Sequence, residues 1–359
     1  MEAPETGPRR PAVSVVVPLY NKRDAIRGCL GAVLRQTLPQ FEVIVVDDGS
    51  TDGGGDIVRQ IADGRVRVVA QENRGASAAR NRGIAESRGE LVALLDADDE
   101  WEPDFLETMR HLAAVFPNAG IYAAGLRRLK SDGSSVEIFA SLAADPGLVE
   151  DYFGAPQEGL LFAPSCAVLR RSVLADIGGY PEGEPVGEDL DLWVRVALKY
   201  GIACTRRVLV TYHVDEEGDR GRRRLAVKQR PYPIHVRTLK TMLAAGSVPA
   251  EKLDHVRRYV DYHAMDFLEC LLVLEHPTAN EQVLSERFHT TRYRLEAAFL
   301  RALARCLPPR MVWLLRWGPV ALLRKLARRF RRRMDQAGRV VCRRNVPAPR
   351  VNRSEGAGG

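Results

Sequence analysis

The sequence of 359 residues predicts an α/β fold: a mostly parallel sheet flanked by helices, followed by a helical C-terminal region. Three observations carry this reading. Short β-branched apolar runs alternate with amphipathic stretches through the first hundred residues, the pattern of a sheet with crossover helices. Polar and acidic clusters fall directly after the apolar runs, where the carboxyl ends of parallel strands open onto a ligand crevice. After about residue 231 the strand signals fade and helical spacing dominates.

Val13–Val17 is an apolar run that stops at Pro18 and reads as a buried strand. Asp24–Gln36 follows with helical spacing, since Ile26, Cys29, Leu30 and Val33 share one face. Phe41–Val46 is a second strand, stopped by Asp47-Asp48-Gly49-Ser50, and Thr51–Ile61 a short helix. Val66–Val69, the helix Ser77–Ser87 and the strand Leu91–Leu95 complete a β-α-β-α-β-α-β order. Further strands are expected at Gly120–Arg127, Ser165–Leu169 and Val208–Val214, with a helix at Glu188–Lys199. The expected organisation is an N-terminal tail (1–11), an α/β domain (12–214), a charged linker (215–230), a helical region (231–335) and a basic, disordered tail (336–359).

Composition narrows the class. A hydrophobic share of 45% is that of an ordinary globular protein. The basicity is local: residues 301–359 carry 16 Lys/Arg against 2 Asp/Glu, the first 300 residues 37 against 44. Residues 311–333 mix Trp313 and Trp317 with Leu and clustered Arg, which suits a helix lying on an anionic membrane surface; a C-terminal helix packed on its own domain is the alternative. No aromatic-basic recognition module appears, so nucleic acid is not an expected partner. The residues from Met1 to Arg10 have no apolar core and no stretch reaches 18 uncharged apolar residues, so neither a secretory signal nor a membrane span is expected. Six scattered cysteines argue against a zinc site or a disulfide framework and fit a reducing cytoplasm.

Three loops carry the candidate chemistry: Pro18-Leu19-Tyr20-Asn21, Asp47 to Asp52, and Asp96-Ala97-Asp98-Asp99. Hard carboxylate oxygens at a rigid strand end suit Mg²⁺ or Mn²⁺, and such an ion bridges phosphate oxygens. Taken alone, Asp96–Asp99 also reads as a solvated turn before the helix that starts near Glu102-Pro103. Asp47-Asp48-Gly49-Ser50 reads as a strand-to-helix turn in which one of the two carboxylates could accept from a base N–H or a ribose hydroxyl, and Tyr20 could pack on a base or be an ordinary half-buried tyrosine. Asn73, Arg80, Asn81 and Arg82 are rich in donors and could meet phosphate, or simply form a solvated helix face. Glu188, Asp189 and Asp191 open a helix, where acidic side chains suit the dipole in any case.

Taken in order, VVVPLYNK (15–22), VVDDGSTD (45–52), NRGASAARNRG (73–83), LLDADD (94–99), SVLADIGGY (172–180) and GEDLDLW (187–193) resemble the signature of family 2 glycosyltransferases of the Rossmann-like GT-A fold, across about residues 12–213. The resemblance implies an inverting transferase that moves a sugar from a nucleotide-diphosphate-sugar, a UDP-sugar first, to the hydroxyl of a sugar or lipid-linked saccharide acceptor in cell-surface polysaccharide or glycolipid synthesis. It implies that Pro18, Tyr20 and Asn21 hold the nucleoside, with Asp48 on the base and Arg74 near base and phosphates. Asp96 would contact ribose or sugar, and Asp98 would ligate Mg²⁺ or Mn²⁺. Asp189 would be the catalytic base, with Glu188 beside the substrate; Trp193 reads as core packing or as a wall near the acceptor. His213 stands near where the family often carries a histidine, as a metal ligand or phosphate contact, or else is a half-exposed strand residue. The expected location is cytoplasmic, peripheral on the inner face of the plasma membrane. Two other readings stay open: a degenerate nucleotide-sugar-binding scaffold, and a nucleotidyltransferase, which would usually show a Gly-rich phosphate loop that Pro18–Asn21 is not.

Overall fold

The computed structural model describes residues 10–140, 142–154, 162–214, 232–273, 287–290, 294 and 341–346. The first half of the sheet follows the order read from the sequence. Strands β1 (Val13–Leu19), β2 (Phe41–Asp48), β3 (Val66–Gln71) and β4 (Leu91–Leu94) are all parallel, in the spatial order 4-1-2-3. β2 is buried at all eight positions, as a strand covered on both faces must be. The helices between them are α1 (Arg23–Leu34), α2 (Gly54–Arg59) and α3 (Ala76–Glu86). α1 buries Ile26, Cys29, Leu30 and Val33, the face the spacing marks out. α3 lies so close to β1 that a Cβ at Gly83 would sit 2.2 Å from Val16 Cγ1, which requires glycine there. α2 is shorter than the sequence predicts, because Thr51 and Asp52 form its entry turn and Gly53 adopts φ 83°.

Beyond β4 the sheet turns mixed rather than mostly parallel. β6 (Ala119–Leu129) and β7 (Ser135–Ala140) are separated by five residues, too few for a parallel crossover, so they pair as an antiparallel hairpin. β9 (Ala167–Arg170) runs antiparallel to both β4 and β6 and joins the two halves. The minor strands β5 (Glu100–Trp101) and β8 (Gly147–Leu148) pair with β10 (Gly201–His213), which is longer than the expected 208–214 because it runs parallel to the whole of β6. Helices α4 (Phe105–Val115), α5 (Arg171–Ile177) and α6 (Glu188–Lys199) cover this half.

The helical C-terminal region is borne out over α7 (Ile234–Ala244) and α8 (Leu253–Val273). The linker 215–230 and the basic segment 311–333 lie outside the described residues. Among the described residues no helix is long and apolar enough to cross a membrane. One expectation is corrected: within the tail read as disordered, Val341–Val346 form β11, antiparallel to β7. β7 presents a free edge there, and edge hydrogen bonds favour a valine-bounded segment in spite of its arginines.

Candidate active site

The acidic turn after β4 is held from below. Ser165 Oγ accepts the Asp96 N–H at 3.1 Å and bonds Asp99 Oδ2 at 2.5 Å, while Trp101 Nε1 donates to Ser165 O at 2.7 Å. Asp99 is wholly buried, and burial, then the Asp96 charge, push its carboxyl well above the usual range. Asp99 is therefore a structural peg under the turn, which leaves Asp96 and Asp98 as the members that face the crevice side chains.

Each of those two has its own cation. Lys22 Nζ lies 2.5 Å from Asp98 Oδ2, a pair in which both side chains stay about 30% exposed. Arg80 Nη2 lies 2.7 Å from Asp96 Oδ1, and its Nη1 3.1 Å from Glu188 Oε1. Burial pulls the Arg80 pKa down, but Asp96, Tyr180 and Glu188 more than offset this and hold it raised. Arg80 is thus a buried strut from the end of β4 to the start of α6, not a solvated donor for phosphate. Asn81 is also structural, exchanging hydrogen bonds with the Tyr180 backbone at 2.9 and 2.8 Å, and Arg82 pairs with Glu86 at 3.1 Å.

Asp189 follows Glu188 in the first turn of α6, which Gly187 starts at φ 80°. Its Oδ1 accepts the Leu190 N–H at 2.7 Å. Burial first, then the Glu188 charge, push its carboxyl up to about 7. A carboxyl that titrates near neutrality is suited to take a proton at working pH. The phenols of Tyr152, Tyr180 and Tyr259 are raised, by burial first, and each also feels the Asp189 charge.

Sequence reasoning missed the contribution of α7 and α8. Thr238 Oγ1 donates to Asp191 Oδ1 at 2.5 Å, and Arg237 pairs with Glu184 at 2.5 Å. A Cβ at Gly187 would lie 3.6 Å from His235 Nδ1. Burial lowers His235 to about 4, so it packs there as a neutral ring. Tyr259 comes from α8. α7 therefore clasps the Gly187–Asp191 turn from the side opposite the sheet. The one usable sequence signal was the spacing of His235 and Thr238, which places both on one helical face.

On the nucleotide side, Pro18 lies at the end of β1 and Tyr20 directly follows it, 50% exposed. Asn21 is exposed and sits at φ 50°, where its Oδ1 accepts the Thr51 N–H at 2.9 Å and ties the two loops together. Asp48 is 2% exposed, and its carboxylate accepts from Gln71 Nε2 and from the Arg74 and Gly75 N–H groups at 2.8 to 2.9 Å. It positions the 73–75 loop and keeps a lone pair on Oδ2. Arg74 is exposed and pairs with Glu182 at 2.8 Å. Trp193, at 1% exposure between Phe162 and Tyr180, takes the core-packing one of its two readings. His213 lies 3.6 Å from Glu100. The His213 backbone hydrogen-bonds the Asp99 carboxyl, which sets His213 beside the acidic turn.

Residues 14–178 match the model of glycosyl transferase family 2. This stretch is a family 2 glycosyltransferase domain. A Bacillus subtilis protein named as a teichuronic acid biosynthesis glycosyltransferase, TuaG, is 38% identical over 153 residues, 40% of this chain and 60% of TuaG. The chain spans 30% and 60% of the length of two curated relatives it matches. Among solved structures, S. aureus TarS in complex with UDP-GlcNAc superposes at a TM-score of 0.56 and 18% identity, covering 81% of each chain. Mannosyltransferase PcManGT from Pyrobaculum calidifontis, in complex with GDP-Man and Mn²⁺, gives 0.55 at 22% identity, covering 85% of this chain and 84% of its own. These likenesses establish the GT-A fold of the family 2 domain. The sheet continues past the family match through β10, so the fold extends to His213.

Proposed function

We propose that the chain is a metal-dependent, inverting glycosyltransferase acting from a nucleotide-diphosphate-sugar to an acceptor hydroxyl. The observation that carries this reading is the line Asp98 and Asp96, Arg80, Glu188 and Asp189. It sets a neutral-range carboxyl beside an acidic turn at the carboxyl end of the sheet. The names of TuaG, TarS and PcManGT support a nucleotide-sugar donor and a cell-surface product. We assign residues 12–214 to the transferase domain and 231–335 to an accessory helical region.

In this reading Tyr20 and Pro18 receive the base, Asp48 accepts from it through the remaining Oδ2 lone pair, and Arg74 leaves Glu182 for the phosphates. Asp98, whose carboxylate is a hard oxygen donor, would hold the Mg²⁺ or Mn²⁺. Such an ion supplies charge neutralisation to the departing nucleoside diphosphate. Asp189 takes the proton of the acceptor hydroxyl as its oxygen attacks the anomeric carbon from the face opposite the leaving phosphate. That single displacement inverts the anomeric configuration. Arg80 fixes Glu188 and Asp96 in place, and Glu188 is the second cause, after burial, of the raised Asp189 carboxyl.

The test is thermal unfolding with UDP, GDP and dTDP, each with and without Mn²⁺, for the wild type and Asp98→Ala. A nucleotide at about 100 times its Kd adds about 2.7 kcal/mol. A Mn²⁺-dependent shift with one nucleotide, lost in Asp98→Ala, is the expected outcome. The absence of any shift would reject the donor site and favour a degenerate scaffold.

A further inference from the structure

Beside the turn that carries Asp189, α7 and α8 bury imidazole nitrogens that no protein group satisfies. His235 is 4% exposed, and neither its Nδ1 nor its Nε2 has a hydrogen-bond partner. Nε2 of His263, on α8, has none either. The two rings stand at 90° with their centres 5.0 Å apart. Tyr259 lies 4.2 Å from His263 and 6.1 Å from His235. Tyr259 also feels the Asp189 charge, which puts this group of rings on the base side of the site.

Buried polar atoms are normally paired, because an unpaired one loses its water and gains nothing in return. The acid closest along the turn is already engaged: Asp191 accepts from Thr238 through one oxygen and from Arg195 through the other. Burial lowers His235 to about 4 and His263 to about 3, so both rings are neutral at working pH. A neutral imidazole offers one N–H donor and one lone-pair acceptor. That combination suits a hydroxyl, which both donates and accepts, and does not suit a phosphate or carboxylate, which calls for a cation. The cover over Nδ1 is a surface loop. A Cβ at Gly187 would lie 3.6 Å from this nitrogen. Gly187 ends the stretch 183–187, in which Gly183 and Gly187 both sit at φ 80°, Val186 is 43% exposed and Glu184 is tied to Arg237.

We infer that His235 is an acceptor-recognition residue, hydrogen-bonding a neutral sugar hydroxyl beside the one that Asp189 deprotonates. The 183–187 loop swings on its two glycines to admit the sugar to Nδ1. Asp189 follows Gly187 by two residues, so their α-carbons are at most about 7 Å apart, a distance that one sugar ring with its hydroxyls spans. The inference rests on the transferase reading for the role of acceptor; the sugar site itself does not. Recognition of the acceptor thereby falls to α7, outside the stretch that matches the family. An internal water offers the same hydroxyl chemistry and is the competing occupant.

The experiment is saturation-transfer NMR on the full chain with the methyl glycosides of glucose, galactose, mannose and N-acetylglucosamine, for wild type, His235→Leu and His235→Asn. Wild type is expected to bind at least one of them. His235→Leu should weaken that binding at least about tenfold, and His235→Asn, which keeps a donor and an acceptor, should recover most of it. Urea unfolding is read on the same proteins. Leucine has a similar volume and removes only atoms without a protein partner, so the His235→Leu midpoint should be unchanged or raised. Three results would overturn the inference: no glycoside bound by wild type, equal binding by His235→Leu (the outcome if internal water alone occupies the ring), or a lowered His235→Leu midpoint, which would make the imidazole a packing element. The Mn²⁺-dependent nucleotide shift is measured in parallel. If it is present while the glycosides are silent, the His235 role fails and the transferase reading stands. If it is absent while glycosides bind through His235, the transferase reading fails and the sugar site stands.

Discussion

Replacing Asp189 with asparagine separates the charge of this residue from its shape. The side-chain oxygen that accepts the Leu190 N–H is preserved, so the first turn of α6 keeps its local bond. What changes is the ionisation. The folded carboxyl is raised from 3.8 to about 7, so the folded state holds a proton that the unfolded chain has released across that interval. Stability therefore falls as pH rises from about 4 to about 7 and levels off above. A shift of about three units at 1.4 kcal/mol each gives about 4 kcal/mol as the ceiling of the cost at pH 8. Asparagine carries none of it. Asp189→Asn is expected to match the wild type near pH 4 and to exceed it by several degrees in Tm at pH 8, at about 2 °C or more per kcal/mol. Transfer should be abolished with nucleotide affinity unchanged. In the wild type, kcat/KM should climb with pH and level off near 7. A Tm difference that does not grow between pH 4 and pH 8, or undiminished turnover in Asp189→Asn, would refute the reasoning.

Other outcomes follow from the same geometry. Arg80→Met leaves two carboxylates facing each other without their buried cation and should cost about 3–5 kcal/mol in urea unfolding. Thr238→Val removes the bond from α7 to Asp191 and should cost about 1–2 kcal/mol. It should also lower kcat while leaving the KM for donor in place, since α7 touches the base side alone. Gly187→Ala forces a Cβ into φ 80° and should destabilise by about 1 kcal/mol, read as a lower midpoint in the same urea assay. Truncation after residue 310 should release the chain from anionic liposomes without changing its nucleotide-dependent Tm shift, if residues 311–333 bind membrane as proposed; equal liposome binding by the truncated chain would reject that role.

Much of the fold was legible because its signals are local. The β-branched runs of β1 and β2, the shared face of α1 and the start and end of α6 all follow from residues within a dozen positions of one another. The site was legible only as positions. Arg80 meets Glu188 across 108 residues and Asp96 across 16, so its spacing on α3 suggested a solvated face. Asp191 finds Thr238 across 47. Trp193 left two readings open, core or acceptor wall, and only packing separates them. The sheet on one side and α7 on the other bury nearly every face of α6, and Phe162 and Tyr180 close over the indole. The left-handed turn at Asn21, φ 50°, was not legible from the sequence, because an asparagine at a strand end suits several conformations.

The two acids of the turn after β4 look equivalent in sequence and are not equivalent in space. Lys22 reaches Asp98 through a half-exposed pair, which contributes little and can be exchanged when a diphosphate brings a divalent ion. Arg80 holds Asp96 in a buried pair, which cannot open without stranding a charge. Asp98 is therefore the exchangeable position and Asp96 the fixed one. The fixed position also continues, through Arg80 and Glu188, into the turn that carries Asp189. A change at Asp96 should thus disturb the base as well as the donor, whereas a change at Asp98 should be felt by metal and nucleotide alone. That asymmetry gives each half of the acidic motif its own experimental signature.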